Sequence, residues 1–356
     1  MEKTDQIVSK RFNRGLVVGK FSPLHKGHEL VVRHALDTCN NVIIISYSNP
    51  EIPGCDSAAR EKWLKRVFPQ TTRLVVTNEV LQYWREKGGE YAEIPANDSD
   101  ESVHRRFVGF LCRQVLGIYV DAVFTSEDYG DGFAAELSHY FQGFDPALPM
   151  VSHVSVDPER SIVPISASLI RSDVDTWRDW LSPEVYASFV RRVCLLGGES
   201  SGKSVLSEIL ARYFDTAFVP EFGRELWEKK NGVLHFEDLS FIAKRQIELE
   251  ESAILLAKRF LFCDTSPLTT LFYCLHMFGK AEPLLMEMAK RSYDLVVLCA
   301  PDFPFVQDGT RQDEHFRMKQ HEWYLQELKK LDIDFLLATG SIESRIKKIS
   351  EVLELL

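Results

Sequence analysis

Short apolar, β-branched runs alternate along the chain with stretches whose apolar positions recur at helical spacing. In the first half the pattern predicts strands at Gly15–Lys20, Val42–Ser46, Arg73–Val76, Ala122–Thr125 and Met150–Val156. Helices are predicted between them at Gly27–Thr38, Ser57–Val67, Val103–Leu116 and Phe133–Phe141. The alternation restarts at Arg192, with strands at Val193–Leu196, Phe218–Val219, Phe260–Cys263, Leu295–Cys299 and Phe335–Ala338. Helices follow at Lys203–Tyr213, Phe236–Lys258, Pro267–Met277, Glu282–Lys290, His315–Leu331 and Ile342–Leu355. Strands separated by helices indicate βαβ units, hence parallel sheets flanked by helices in an α/β fold. The chain therefore divides into a short tail (1–14) and two α/β domains (15–188 and 189–356), with the boundary near Ser182–Val190. No Gly/Ser-rich linker marks that boundary, so the domains are expected to abut through a helix. Glu86–Glu101 and Pro301–Gln312 fit neither period and read as insertions or mobile loops.

A length of 356 residues, 45% of them hydrophobic and 26% charged, agrees with two soluble globular domains. The net charge of -10 argues against broad binding to nucleic acid or an anionic membrane. Small anionic ligands would then be held by a few placed groups. None of the seven cysteines forms a CxxC pair, and Cys194, Cys263 and Cys299 lie in apolar strand runs. This is the pattern of a reduced, cytoplasmic protein. The N-terminal residues are charged and lack the apolar core of a signal peptide, and no run of 18 apolar residues is available to span a membrane.

The first strand leads into Gly19-Lys20-Phe21-Ser22-Pro23-Leu24-His25-Lys26-Gly27-His28. Strand, Gly/Pro turn and helix N-terminus together present backbone N–H groups to an anion. His25 and His28 lie three apart there and can converge on one phosphate, and Gly27 permits close approach of the chain. After the last strand of this half comes Ile165-Ser166-Ala167-Ser168-Leu169-Ile170-Arg171. Ser166 and Ser168 are placed to cap the next helix, and Arg171 to offer a permanent cation. The first string resembles the HxGH signature of the nucleotidyltransferase superfamily, and the second its ISxSxxR motif. The resemblance implies a Rossmann-like fold and adenylyl transfer, with His25, His28 and Arg171 on the ATP phosphates. Gly19, Lys20, Phe21, Gly27, Ser166 and Ser168 would complete the ATP site.

In the second half, strand Val193–Leu196 runs into Gly197-Gly198-Glu199-Ser200-Ser201-Gly202-Lys203-Ser204. This is a complete GxxxxGK[ST] string between a strand and a helix, a P-loop. Its amides cradle phosphates, Lys203 reaches the β- and γ-phosphates, and Ser204 binds Mg²⁺. Glu221 and Asp264 end the next two strands, where an open α/β sheet presents acids to its ligand crevice. Either can accept a hydroxyl proton, and Asp264 can instead hold Mg²⁺ or cap a helix. Arg311 and Arg317 resemble lid arginines over a transferring phosphoryl group, although Arg317 also fits a solvated charge run.

Thr125-Ser126-Glu127-Asp128-Tyr129-Gly130 resembles the SExYG segment of NadR-type bifunctional nicotinamide-nucleotide adenylyltransferases and ribosylnicotinamide kinases. Arg60, in a helix that is also plainly amphipathic, fits the same family. The segments from Pro220 to Glu225, from Asp264 to Thr270 and from Asp308 to Arg311 resemble the family's kinase domain, a nucleoside-kinase-like P-loop fold. The resemblance implies phosphorylation of nicotinamide riboside to the mononucleotide (NMN), then adenylylation to NAD, with ATP and Mg²⁺. It assigns Arg60, Ser126, Glu127, Tyr129, Arg224 and Glu225 to substrates. A fusion of phosphopantetheine adenylyltransferase with dephospho-coenzyme A kinase shares HxGH and a P-loop, but the Ser126–Gly130 and Pro220–Glu225 segments argue against it. A nucleotide sensor acting on a partner is the other reading, disfavoured by the intact phosphate motifs. Nucleotidyltransferases often associate, which leaves a homo-oligomer open. The 14 residues before the first strand are too few for the helix-turn-helix domain some members carry, so no DNA binding is expected.

Overall fold

The computed structural model describes residues 10–89, 92–307, 309 and 311–355. The chain forms two compact units, Met1–Ser188 and Phe189–Leu356. In the first, the strands are β1 Phe12–Val18, β2 Cys39–Ser46, β3 Thr72–Val75, β4 Ala122–Thr125 and β5 Ser152–Ser155. Its helices are α1 Lys26–Thr38, α2 Ser57–Val67, α3 Asn78–Glu86, α4 Glu101–Phe110, α5 Gly130–Gln142, α6 Ala167–Ser172 and α7 Pro183–Tyr186. The second unit has strands β6 Arg191–Gly197, β7 Phe218–Val219, β8 Phe260–Asp264, β9 Leu295–Cys299 and β10 Leu336–Ala338. Its helices are α8 Lys203–Tyr213, α9 Phe222–Lys229, α10 Phe236–Ala253, α11 Pro267–Phe278, α12 Pro283–Met288, α13 Glu314–Lys330 and α14 Ile342–Leu353.

Each unit holds one five-stranded sheet, in the orders β3-β2-β1-β4-β5 and β10-β9-β6-β8-β7, with every pairing parallel. The first order reverses between β1 and β4, and ligands of such sheets sit beyond the carboxyl ends of the strands at that point. The loops after β1 and β4 carry Gly19–His25 and Ser126–Tyr129, so the topology brings the two motifs together. In the second sheet β6, which leads into the P-loop, lies beside β8, and Leu195 pairs in register with Asp264.

Both faces of the second sheet are covered. Val193 and Leu195 pack with Leu206, Phe260 and Phe262 on one side, while Cys194 and Leu196 pack with Leu239, Leu268 and Tyr324 on the other. A strand buried on both faces gives a continuous apolar run, which is why these strands were legible as runs without alternation. All seven cysteines are buried and unpaired. Among the described residues no helix is long and apolar enough to cross a membrane.

Several expected boundaries differ. The predicted helix Val103–Leu116 is α4 followed by a π-helical turn at Leu111–Val115. The helix predicted to reach Lys258 stops at Ala253. α3 and α9 were not expected. α9 begins directly after β7, which leaves too little chain for the strand and helix periods to separate. Glu86–Glu101 is irregular where described, yet it is anchored: Asn97 donates its backbone N–H to the Asn49 carbonyl at 2.7 Å and its side-chain amide to Ser48 and Pro50. Asp308 and Thr310, and residues 1–9 of the tail, lie outside the described residues.

Candidate functional site

In the first unit the site is built around the start of α1. His25 is the N-cap, extended at φ -125° and ψ 169°. Its Nδ1 accepts the Gly27 N–H at 3.1 Å, and His28 Nδ1 accepts the His25 N–H at 3.3 Å. The two histidines thus form the reciprocal cap usually made by Ser and Glu. The rings stack with centroids 3.8 Å apart. A Cβ on Gly27 would lie 2.9 Å from His25 Cε1, so only glycine lets the ring fold back on the helix start. With both Nδ1 atoms accepting, each neutral ring carries its proton on Nε2. Burial and the charge of Arg160 lower the His25 pKa to about 4. Burial, His25 and Arg160 hold His28 well below its ordinary value, against a hydrogen bond to the Pro23 carbonyl. The pair is therefore two neutral N–H donors at pH 7.

Arg171 reaches this loop from α6, donating through Nη1 to the Ser22 carbonyl and through Nη2 to Ser168 Oγ at 3.1 Å. Ser166 caps α6 by accepting the Leu169 N–H at 3.2 Å. Ser168 was expected as a second cap, but it lies inside the helix and orients Arg171 instead.

A cavity of about 530 Å³ opens over the β1–β4 switch point. Gly19, Lys20, Phe21 and His28 line it together with Ser126, Glu127 and Tyr129. Burial pushes the Tyr129 hydroxyl up to about 12, so it stays a neutral donor. Gly130 is required here, since a Cβ would lie 1.9 Å from His153 Nε2. His153 in turn bridges Thr125 Oγ1 and Asp131 Oδ1, each at 2.8 Å. The far wall comes from residues the sequence reading did not single out: Tyr47, Asn97, His104 and Arg105. Tyr47 and His104 stack with centroids 5.7 Å apart, and the Tyr47 hydroxyl is 3.0 Å from His104 Nδ1. Tyr47 directly follows β2, and its place at a strand's carboxyl end was the available signal. Arg60 is not on the cavity lining. It is fully buried in α2, donates to Glu51 Oε1 at 2.9 Å, and keeps Nε and Nη1 without hydrogen-bond partners.

In the second unit the P-loop takes the backbone its glycines permit. Gly197 has φ 152° and Gly202 φ 81°, and a Cβ on Gly198 would lie 2.7 Å from the Arg317 carbonyl oxygen. Glu199 turns its carboxylate toward the remainder of the site, accepting from Tyr273 Oη at 3.1 Å and from the Gln312 N–H at 2.7 Å. Its own N–H donates to Gln320 Oε1 at 2.8 Å. Ser200 Oγ accepts the Val306 N–H at 3.0 Å. Ser201 receives the fully buried Arg345 on its carbonyl at 2.8 Å.

Asp264 ends β8 beside Lys203 and Ser204. Burial raises its pKa to about 6 against the attraction of Lys203, with Glu221 adding to the rise. Its Oδ1 is buried without a hydrogen-bond partner. Asp264 does not cap the following helix, because Ser266 does so by accepting the Leu268 N–H at 3.2 Å. A hydroxyl and a buried carboxylate with an unpartnered oxygen are hard oxygen donors of the kind that would hold Mg²⁺. Among the described residues no cluster of three His, Cys, Asp or Glu side chains offers a metal cage of its own.

A second cavity of about 290 Å³ is lined by Glu199, Lys203, Glu221 and Arg224, and also by Trp227, Gln246 and Tyr273. Gln246 fixes the loop after β7 by accepting the Phe222 N–H at 3.0 Å and donating to the Pro220 carbonyl at 3.3 Å. Trp227 lies one helical turn beyond Arg224, a spacing that would have found it had α9 been recognised. Glu225 points elsewhere and pairs with Lys229 at 2.5 Å. Arg311 donates to the Val306 carbonyl within its own segment. Arg317 is neither solvated nor extended over the site. It is buried, donating to the Phe303 carbonyl and to Glu314 Oε1, both at 2.8 Å.

Comparisons with known proteins match part of the second unit and the chain as a whole. A family model described as an AAA domain matches residues 192–345. The trifunctional NAD biosynthesis/regulator protein NadR of Salmonella typhimurium is 30% identical over 315 residues, covering 84% of this chain and 72% of that protein. Its Escherichia coli counterpart is 29% identical, covering 83% and 71%. Two solved structures resemble the whole chain in fold. A NadR protein in complex with NR superposes with a TM-score of 0.67 at 20% identity, covering 97% of this chain and 96% of the other. A NadR protein in complex with NAD and AMP-PNP gives 0.65 at 19% identity, covering 97% of each.

Proposed function

This chain belongs to the NadR family of NAD biosynthesis proteins, and on that footing we propose that it makes NAD from nicotinamide riboside in two ATP-dependent steps. In the second unit, the 5′-hydroxyl of the riboside attacks the γ-phosphorus of ATP. The bond to the β–γ bridging oxygen breaks, and ADP and NMN leave. In the first unit, a Rossmann-like nucleotidyltransferase domain, the phosphate of NMN attacks the α-phosphorus of a second ATP, giving NAD and pyrophosphate.

The observation that carries the reading is Asp264, a buried carboxylate with a partnerless oxygen, set beside the P-loop Ser204 and Lys203 next to a nucleoside-sized cavity. It supports a division of labour between the two acids left open above. Asp264 faces Lys203 and Ser204 and is absent from the cavity lining, so with Ser204 it would hold Mg²⁺. The ion supplies charge neutralisation at the phosphates when bound. Glu221 lines the cavity with Arg224 and is placed to take the hydroxyl proton. Trp227 and Tyr273 offer flat faces to the riboside's ring.

In the first unit the attacking phosphate is already an anion, so little proton transfer is needed. Catalysis there is placement and charge stabilisation by the α1 amides, the two imidazole N–H groups and Arg171. Both activities are assigned to the cytoplasm, in line with seven unpaired cysteines.

The test is mass-spectrometric product analysis with nicotinamide riboside, ATP and Mg²⁺. Wild type should yield NAD, His28→Ala should accumulate NMN, and Lys203→Ala should yield neither. A wild type that leaves the riboside untouched removes the kinase assignment. One that stops at NMN removes the adenylyl-transfer assignment.

A further inference from the structure

The triphosphate of ATP is a multiple anion, yet the His25–His28 pair beneath it is neutral and supplies donors without charge. The nearby cations are engaged to different degrees. Arg171 donates to the Ser22 carbonyl and to Ser168. Lys20 reaches the Asn97 carbonyl at 3.4 Å. Arg160, which no motif contains, sits on the turn between β5 and α6 and pairs with Glu127 at 3.2 Å.

That turn is built to hold the arginine in one place. Asp157 and Arg160 both adopt left-handed backbone, at φ 52° and 51°, which costs a non-glycine residue about 1 kcal/mol. The Asp157 carboxylate offsets the cost by accepting from the backbone N–H groups of Ser161, Ile162 and Val163 and from the Ser161 hydroxyl, at 2.8–3.1 Å. The Arg160 N–H closes the turn on the Asp157 carbonyl at 2.9 Å. The turn also packs on the histidine loop, since a Cβ on Gly27 would lie 3.7 Å from Val163 Cγ1. From this position the guanidinium is felt by both imidazoles.

Its present partner holds it weakly. Arg160 and Glu127 are 44% and 54% exposed, and an ion pair in that setting contributes only ~0–1 kcal/mol. A phosphate group offers more charge and a bidentate match to guanidinium. We propose that Arg160 is a phosphate-binding residue of the first unit, which exchanges the Glu127 carboxylate for the triphosphate oxygens of ATP held over His25 and His28. The exchange leaves Glu127, which already lines the cavity, without its arginine partner. This inference rests on the adenylyl-transfer reading for its chemistry, but ATP binding tests it separately.

The experiment titrates Mg·ATP calorimetrically into full-length Lys203→Ala, whose P-loop is disabled, with and without Arg160→Gln or Arg160→Lys. Adenylyl transfer by the same Arg160 substitutions in the otherwise native chain is measured in parallel. Arg160→Gln should weaken ATP binding roughly tenfold, the scale of one charge-assisted contact, and Arg160→Lys should restore part of it. The KM for ATP should rise to match, while the KM for NMN holds. Unchanged ATP affinity overturns the proposal. So does a rise confined to the KM for NMN, because Arg160 would then act only by bracing Glu127. Weakened ATP binding in a protein whose native form makes no NAD would uphold the phosphate site and remove the adenylyl-transfer reading instead.

Discussion

His25 and His28 cap each other: the backbone N–H of the first donates to Nδ1 of the second at 3.3 Å, while the first accepts from Gly27 at 3.1 Å. The motif therefore does two things at once, closing the start of α1 and leaving each ring its Nε2–H as a donor, that of His28 now bound to the Pro23 carbonyl. Asparagine separates the two, because its side-chain oxygen can replace Nδ1 while nothing replaces Nε2. His28→Asn is expected to fold normally and lose about 10² or more of adenylyl transfer, the scale of one preorganised donor. His28→Ala should lose a similar amount and about 1 kcal/mol of stability as well. Equal melting temperatures for the two variants would falsify the capping role.

The same pair makes the first unit acid-labile. Both histidines have folded pKa values below the ordinary 6.5, that of His25 falling to about 4. The folded chain then binds fewer protons than the unfolded one between these limits, so stability is full above pH 6.5 and falls as pH drops toward 4. The slope approaches about 1.4 kcal/mol per pH unit for each histidine. Denaturant titrations at pH 7.5 and 5 should show the loss, and His28→Asn should show less of it. A first unit equally stable at both values would mean that the rings are not held neutral.

Asp264 carries the opposite sign. Its folded pKa is raised to about 6 from 3.8, so the folded state disfavours the carboxylate and stability falls as pH rises through that window. Asp264→Asn should abolish kinase activity while raising the melting temperature of the second unit at pH 8. A rise of about 2–4 °C corresponds to ~1 kcal/mol in a domain of this size. The gain should vanish near pH 4. Kinase activity in the native chain should decline below about pH 6, and added Mg²⁺ should move that limb lower by competing with the proton. A limb that ignores Mg²⁺ would put the metal elsewhere.

How far the sequence could be read depended on whether a residue's role was local. The P-loop, the histidine turn and the Ser166 cap are set by neighbours in the chain, and glycine at 27, 130, 197 and 202 is where a side chain or a negative φ does not fit. The cavity walls are different. His104 and Tyr273 meet their sites through strand order, which single-chain periodicity does not encode, whereas Tyr47 and Trp227 carried local signals in the end of β2 and the spacing from Arg224. Arg160 was invisible for the same reason, since its partners Glu127 and the histidines come from loops after other strands. Neither the lid-arginine reading of Arg317 nor its charge-run alternative foresaw its burial. The residue lies on α13 among Glu, Lys and His, which reads as a solvated face, yet the Phe303 carbonyl and the P-loop cover it.

That burial separates the two arginines that looked alike. Arg317 ties the start of α13 to the segment before it through the Phe303 carbonyl, directly behind Gly198. Arg317→Ala should therefore act mainly through the fold, costing about 1–3 kcal/mol for a lost charged donor and its orphaned acceptor, with kinase activity falling in proportion to the folded fraction. Arg311 lies one residue before Gln312, whose N–H is bound by the P-loop Glu199. The segment that carries Arg311 thus borders the P-loop, and an arginine acting on a transferred phosphoryl group is worth about 10³ or more in rate. Arg311→Ala should lower kcat by that order at an unchanged melting temperature, with Arg311→Lys recovering little. Steady-state kinetics and thermal unfolding on the two variants decide the matter: a fully active Arg311→Ala would leave the phosphoryl charge to Lys203 and Mg²⁺ alone, and a fully stable, inactive Arg317→Ala would return the role to Arg317.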